Sequence, residues 1–220
     1  FQETLNNVVI LSTEASKDNF GSKKLIESIN SSFDILFHKA LPNEEEKVIM
    51  LIILMMVGSK PDYNPDELAY NWINEILNVK DYGSNWHLDF LYIKSWICRR
   101  LQKYDESIKI AETVIQTKKD PRFYHSLYLS YYCKYRDDHL LSNLKKSLKY
   151  CELSLNNYEK IKDKKNYVVK TISANLNSFA YLNTLFFIKN KVDKSYILNA
   201  RKYLDNLKSI EKNNYSKFPE

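Results

Sequence analysis

Few side chains in this 220-residue sequence have the types and spacing that chemistry requires. The four histidines, His38, His87, His125 and His139, are scattered, and no spacing brings one beside a serine or cysteine nucleophile. The densest polar run is Arg136-Asp-Asp-His139, which could bind a cation or place an acid beside a base. Because an aspartate-rich run between helices more often caps a helix, we favour the capping interpretation.

Cysteine and glycine give no better support for a reactive site. Cys98, Cys133 and Cys151 lie inside helical patterns without the spacing of metal ligands, so we expect reduced core thiols in a cytoplasmic protein. The three glycines form no phosphate cradle, dinucleotide fingerprint or nucleophile elbow. We therefore predict a protein that is not an enzyme, with no catalytic residue, no metal site and no cofactor.

The charge of the chain argues against a dedicated nucleic-acid surface. The formal net charge of +6 comes from 33 basic and 27 acidic residues that are mixed along the sequence. The densest basic stretch, Lys160-Ile-Lys-Asp-Lys-Lys165, is typical of a solvated helix end and loop. A nucleic-acid site would need basic residues aligned along a groove, so binding of nucleic acid is disfavoured at this stage.

An apolar run of ten residues, Val48–Val57, is too short to cross a membrane, which takes about 20 residues. It predicts a helix buried on most sides, and we expect no membrane span. Residue 1 is Phe and no signal-peptide pattern follows, so we expect a processed chain or a piece of a longer protein.

The elements that must position any site are predicted to be helices. Three glycines and five prolines fall below the usual shares of about 7% and 5%, and strands and their turns consume both residues. Connections between the apolar-periodic segments are short, which favours antiparallel neighbours. The prediction is an all-α fold, residues 1–220 forming one helical-repeat domain of stacked antiparallel hairpins. The ten predicted helices cover residues 3–18, 22–39, 43–57, 65–80, 84–102, 104–119, 121–136, 139–162, 165–190 and 193–213.

The clearest hairpin lies around residues 88–121. Its first helix is apolar on two sides and must therefore be sandwiched between neighbours, as in a layered stack. Its second helix begins at Tyr104-Asp-Glu-Ser-Ile108 and carries the small or apolar residues Ser107, Ala111 and Val114 on one face. Asp120-Pro121 closes the unit.

These residues resemble the tetratricopeptide repeat. Leu91, Ser95 and Cys98 stand at the large, small and large packing positions of the first helix of that repeat. The chain departs from the pattern at Gln102-Lys103, where the family usually has a glycine before the turn. The later pairs, 121–162 and 165–213, are longer than the family period, so they are either elongated repeats or hairpins of another solenoid type. The resemblance implies an α-α superhelix whose first helices line a concave surface.

That concave surface is where the resemblance would place a binding strip. Aromatic and basic side chains, which are enriched at binding hot spots, recur on the first helices of successive hairpins. The alternative is that the tyrosines only fill gaps between repeats and keep their hydroxyl groups in water. The candidate partner-binding residues are Tyr92, Trp96, Arg99, Arg100, Tyr128, Tyr132, Lys170, Asn177 and Tyr181.

We expect a non-catalytic module that binds a protein or peptide, which could be another domain of its own parent chain. A second hypothesis is a regulatory sensor in which a ligand or peptide changes the pitch of the superhelix. Nucleic-acid binding ranks third. An enzyme ranks last, because no carboxylate or histidine motif is apparent in the predicted helices.

Overall fold

The computed structural model describes residues 10, 23–38, 43, 46–48, 50–51, 65–78, 86–161, 166–190 and 193–215. Within these residues the fold is all-α, as predicted, and no strand is present. The eight helices are α1 (Lys23–His38), α2 (Pro65–Asn78), α3 (Trp86–Arg100), α4 (Tyr104–Thr117), α5 (Pro121–Asp138), α6 (Leu141–Glu159), α7 (Asn166–Asn190) and α8 (Ser195–Tyr215).

Two of the ten predicted helices are described only in part. For the predicted helix 3–18, only residue 10 lies within the described residues. Of the predicted helix 43–57, residues 46–48 and 50–51 are helical. Met50 and Leu51 are fully buried there, as expected for the apolar run that contains them.

Capping residues set both ends of α5. The carboxylate of Asp120 accepts a 2.9 Å hydrogen bond from the backbone N–H of Arg122, and Pro121 occupies the first turn of α5, where its missing N–H costs nothing. Helix α5 ends at His139, which has a left-handed φ of 55° and whose N–H reaches the carbonyl of Tyr135 at 2.8 Å. Local hydrogen bonds and residue types therefore define where α5 begins and ends, before its packing is considered.

The chain divides into two compact units, residues 1–101 and 102–220. In the first unit α2 packs against α3, and in the second α4 to α8 each pack against their neighbours in sequence. The α5–α6 pair is antiparallel, because Ser147 Oγ donates to the carbonyl of Tyr128 and Ser154 Oγ donates to that of Pro121. Whether these units belong to one domain, as predicted, stays a prediction.

Each unit has its own apolar core. In the first, Trp72, Ile73, Phe90 and Ile97 are buried together. In the second, the core between α5, α6 and α7 contains buried Leu144 among many aromatic side chains. A second cluster joins α6 to α7, and Tyr203 of α8 packs against both. Among the described helices, the faces that lie outside these cores are exposed to solvent and can contact another molecule.

Candidate functional site

The aspartate–histidine run that offered acid–base chemistry is a helix boundary. The carboxylate of Asp138 accepts hydrogen bonds from the backbone N–H of Leu140 at 2.8 Å and from the side-chain amide of Asn143 at 2.6 Å. His139 is the residue that ends α5, and its ring contacts Tyr135 edge-on. The run is a helix boundary, as the capping interpretation expected, and Asp138 holds the α5–α6 turn, but the N-cap residue of α6 is Leu140, which supplies no side-chain capping hydrogen bond.

The three cysteine thiols are also unsuited to chemistry. Cys98 and Cys151 are buried and Cys133 is half-buried, and none of the three forms a disulfide. Burial raises the pKa of the Cys151 thiol, which donates a weak hydrogen bond to the carbonyl of Asn175 at 3.6 Å. A thiol that resists ionisation is a poor nucleophile. Within the described ranges, no group of three His, Cys, Asp or Glu side chains could hold a metal ion.

The predicted strip on α3 is largely engaged inside the first unit. Trp96, predicted to lie on the concave binding surface, is half-buried and packs against the core cluster instead. The Nε of Arg100 lies 2.9 and 3.0 Å from the two carboxylate oxygens of Asp66, whose residue is only 3% exposed. Tyr92 and Arg99 are half-buried and also make contacts. Arg100 therefore neutralises a buried carboxylate of its own unit.

In the second unit, three side-chain contacts join α5 to α7. The Nδ1 of His125 lies 2.8 Å from Oδ1 of Asn175, and because a carbonyl oxygen only accepts, this nitrogen carries the proton. Two further contacts follow towards the ends of the helices, pairing Tyr128 with Ser178 and Tyr132 with Tyr181. We call these three contacts the α5–α7 ladder. Its residue numbers rise together in both helices, so α5 and α7 run in the same direction.

Tyr128 is the inner part of this ladder and is a core residue. It is only 4% exposed, and its hydroxyl donates to Oγ of Ser178 at 3.4 Å. The ring of His125 meets it edge-on, with the centroids 4.9 Å apart. The structure therefore corrects the prediction that Tyr128 lies on an open binding strip, because its ring fills the space between three helices.

Tyr132 and Tyr181 form the outer contact of the ladder. The Tyr132 hydroxyl donates to that of Tyr181 at 3.2 Å, and the rings meet edge-on with centroids 6.0 Å apart. Burial, followed by this hydrogen bond, raises the pKa of Tyr132 to about 12. Tyr132 is half-buried, whereas Tyr181 is 53% exposed. The pair thus has one anchored ring and one ring open to solvent.

One narrow stripe of α7 remains open beside this pair. It consists of Ala174, Asn177, Tyr181 and Ile188, which are exposed and follow three-four helical spacing apart from the half-buried Thr184. We call these four residues the α7 stripe. The side chain of the remaining candidate, Lys170, lies outside the described residues. Of the five candidates predicted in this unit, the structure brings Tyr132, Asn177 and Tyr181 to one surface.

His125 and Asn175 were missed as members of this region. Asn175 is fully buried and also donates to Oγ of Ser154 at 3.1 Å, so one amide links α5, α6 and α7. A buried asparagine in an apolar face is the kind of signal that could have indicated this contact, because buried amides need partners. The identity of the partner depends on the packing of α7 beside α5.

No protein-family model matches this sequence, and no curated protein or solved structure matches it at a significant level. In the part of the chain that the structure describes, no helix is both long enough and apolar enough to cross a membrane. Function must therefore be argued from the surfaces themselves.

Proposed function

We propose that this protein is a non-catalytic module that binds a protein or peptide segment on the α7 stripe and the adjoining Tyr132. The observation that carries the proposal is the α5–α7 ladder. It holds two helices in the same direction and leaves Asn177, Tyr181 and Ile188 open to solvent. An exposed aromatic ring beside an amide and an aliphatic group offers both apolar contact area and hydrogen bonds to a peptide backbone.

The packing of the residues that resemble the tetratricopeptide repeat supports this proposal. Ser107, Ala111 and Val114 are all buried, and the hydroxyl of Ser107 lies 2.8 Å from that of Ser130 on α5. Gln102, at the position where that family has a glycine, adopts a left-handed φ of 59°. That conformation favours glycine, the residue that the tetratricopeptide repeat usually has at this position.

The order of helices in the second unit supports it further. Helices α5 and α6 form an antiparallel hairpin, and α7 follows beside α5 in the same direction. Consecutive hairpins whose first helices are parallel neighbours are the arrangement of a helical-repeat stack. In such a stack the first helices line one surface, and on that surface we place the partner.

Selection from a displayed library of random 12-residue peptides tests the proposal. We expect peptides that bind the 220-residue chain and that lose at least tenfold in affinity when Tyr181→Ala and Asn177→Ala are combined. The reason is that interfaces concentrate their energy in a few central side chains, aromatic ones above all. Affinity would be measured by isothermal titration calorimetry.

The matched control removes two exposed side chains from a different helix, Gln116→Ala and Thr113→Ala on α4. This variant should bind the selected peptides as the parent chain does. If both double variants bind equally, or if no peptide is enriched over an unrelated helical protein, the proposal is wrong. The sensor hypothesis stays a prediction, to be tested by a peptide-dependent rise in the unfolding temperature.

A further inference from the structure

The division of the chain into two units exposes a separation of charge that the whole-chain composition hides. Residues 1–101 contain 10 Lys and Arg against 14 Asp and Glu, a net charge of −4. Residues 102–220 contain 23 against 13, a net charge of +10. The description of the charge as mixed is therefore corrected. Charge asymmetry between halves is one mark of a chain that binds a polyanion.

Part of this excess is concentrated on the first half of α6. Lys145, Lys146 and Lys149 are all exposed, and none of the three forms an ion pair with another described residue. We call them the α6 lysine cluster. Elsewhere in the same unit, by contrast, Arg122 is bound to Asp120 and Lys134 to Asp105. The cluster is therefore basic charge that has no ion-pair partner among the described residues of its unit.

Two of these ammonium groups lie close to aromatic rings. Lys146 Nζ lies 4.9 Å from the ring centroid of Tyr131, and Lys149 Nζ lies 5.7 Å from that of Tyr150. The two tyrosine rings are stacked, 5.7 Å apart and nearly parallel. Cation–π contact of this kind restricts a lysine without neutralising it. Two of the three ammonium groups thus lie near aromatic rings and keep their full charge.

The acidic groups nearby are few and partly engaged. Glu112 of α4 accepts a 3.0 Å hydrogen bond from the Tyr131 hydroxyl, below Lys146. On α6 itself the carboxylates Glu152 and Glu159 follow the cluster along the helix. Carboxylates therefore limit the positively charged surface on the side of α4 and towards the C-terminal end of α6.

The basic residues of the second unit are suited to contact by charge alone, without recognition of the shape of one anionic group. This unit has 20 lysines and only three arginines, and Arg122 already uses its guanidinium on Asp120. Bidentate recognition of an individual carboxylate or phosphate group favours the planar fork of arginine. Lysines act as point charges, and contact with a phosphate backbone gains affinity by releasing counterions without reading bases.

We propose that the second unit binds nucleic acid through its phosphate backbone, without sequence recognition, and that the α6 lysine cluster makes the principal contacts. Lys145 and Lys149 stand one turn apart, about 6 Å along the helix axis, so a single strand can meet both. The half-buried Tyr150 lies beside them, with its ring stacked on that of Tyr131. This binding is independent of the peptide site on the α7 stripe.

Fluorescence anisotropy of the whole 220-residue chain with a labelled 20-nucleotide RNA of mixed sequence tests this. We expect binding at 50 mM KCl that weakens about 50-fold at 200 mM, the size of effect that four neutralised phosphates give on a single strand. Replacing all three cluster lysines with glutamine should weaken binding at 50 mM at least tenfold and reduce the salt dependence. Replacing them with arginine should retain binding, because the contact requires charge alone.

The control variant changes Lys109, Lys118 and Lys119 to glutamine, which lowers the net charge equally at other exposed positions. It should lose less than threefold. Equal losses in the two glutamine variants, with circular dichroism showing both folded, would overturn the placement on α6. Absence of RNA binding at 50 mM KCl would overturn the proposal outright. So would tighter binding of polyglutamate or of vesicles rich in phosphatidylserine, since the partner would then be an acidic protein or a membrane.

Discussion

The two regions that carry the candidate residues, α3 in the first unit and the α5–α7 surface in the second, use similar side chains differently. On α3 the aromatic Trp96 packs on the core and Arg100 neutralises a buried aspartate. On the α5–α7 surface Tyr132 is held from below, while Tyr181 remains open to solvent. The difference lies in what the neighbouring helix offers: α2 supplies a carboxylate that needs a cation, and α7 supplies a second phenol.

This comparison shows that an aromatic and basic stripe is not by itself a binding site. A side chain that packs on the core or neutralises a buried charge of its own unit contributes to stability. A side chain that stays mostly exposed is available to another molecule. The substitutions below test that division. Replacing a residue of the first kind should lower the free energy of unfolding, and replacing one of the second kind should leave it nearly unchanged.

The largest effect is expected at the inner part of the α5–α7 ladder. Tyr128→Ala should lower the free energy of unfolding by about 3 to 5 kcal/mol, since it leaves a cavity between three helices. Urea denaturation followed by circular dichroism measures it. Tyr128→Phe, which removes the hydroxyl and its long 3.4 Å hydrogen bond to Ser178 but keeps the ring, is the control and should cost about 1 kcal/mol or less. A small loss for Tyr128→Ala would mean that the ring is not a core group.

The next effect is expected on α3. Arg100→Ala should cost about 2 to 4 kcal/mol, because it leaves the carboxylate of Asp66 buried without its cation; the partial exposure of Arg100 keeps the cost below that of a fully buried pair. The same denaturation experiment applies. The double variant Asp66→Asn with Arg100→Met should recover a large part of the loss. If the double variant is no more stable than Arg100→Ala, the ion pair is not the cause.

A smaller effect is expected from the pH dependence of the outer ladder contact. The pKa of Tyr132 is about 12 in the folded chain against about 10 in an unfolded one, so folding favours the protonated phenol. Its contribution to stability is complete below pH 10 and is lost as the pH rises through 12. Tyr132→Phe should therefore show a flatter fall in unfolding free energy between pH 9 and 12. Burial also raises the pKa values of Tyr131 and Tyr150, which supply a background common to both proteins. Superimposable profiles would contradict the assignment.

The smallest effect on stability is expected at Tyr181. Tyr181→Ala should change the unfolding free energy by no more than about 0.5 kcal/mol, since more than half of the residue is exposed. Trp96→Ala, its counterpart on α3, should cost about 2 kcal/mol because the indole packs on the core. Thermal denaturation of the two variants gives the ratio directly. Equal costs would remove the distinction between the two regions.

Much of the fold could be predicted from the sequence because helix formation depends on local information. The scarcity of glycine and proline and the three-four spacing of apolar residues predicted α5 from 121 to 136, against the observed Pro121–Asp138. Asp138 and His139 likewise mark the end of α5, where the aspartate-rich run indicated a helix boundary. The sequence pattern also predicted the buried apolar face that contains Ser107, Ala111 and Val114.

Tertiary structure alone decided which polar and aromatic residues stay available. Helical spacing places Tyr128 and Tyr132 on neighbouring parts of one face, yet burial differs between them because α7 covers the first more deeply. The use of Arg100 depended on an aspartate 34 residues away, and the excess of positive charge became apparent only when the chain was divided into units. Contacts between distant segments leave no periodic trace in a sequence, since each depends on how whole helices pack.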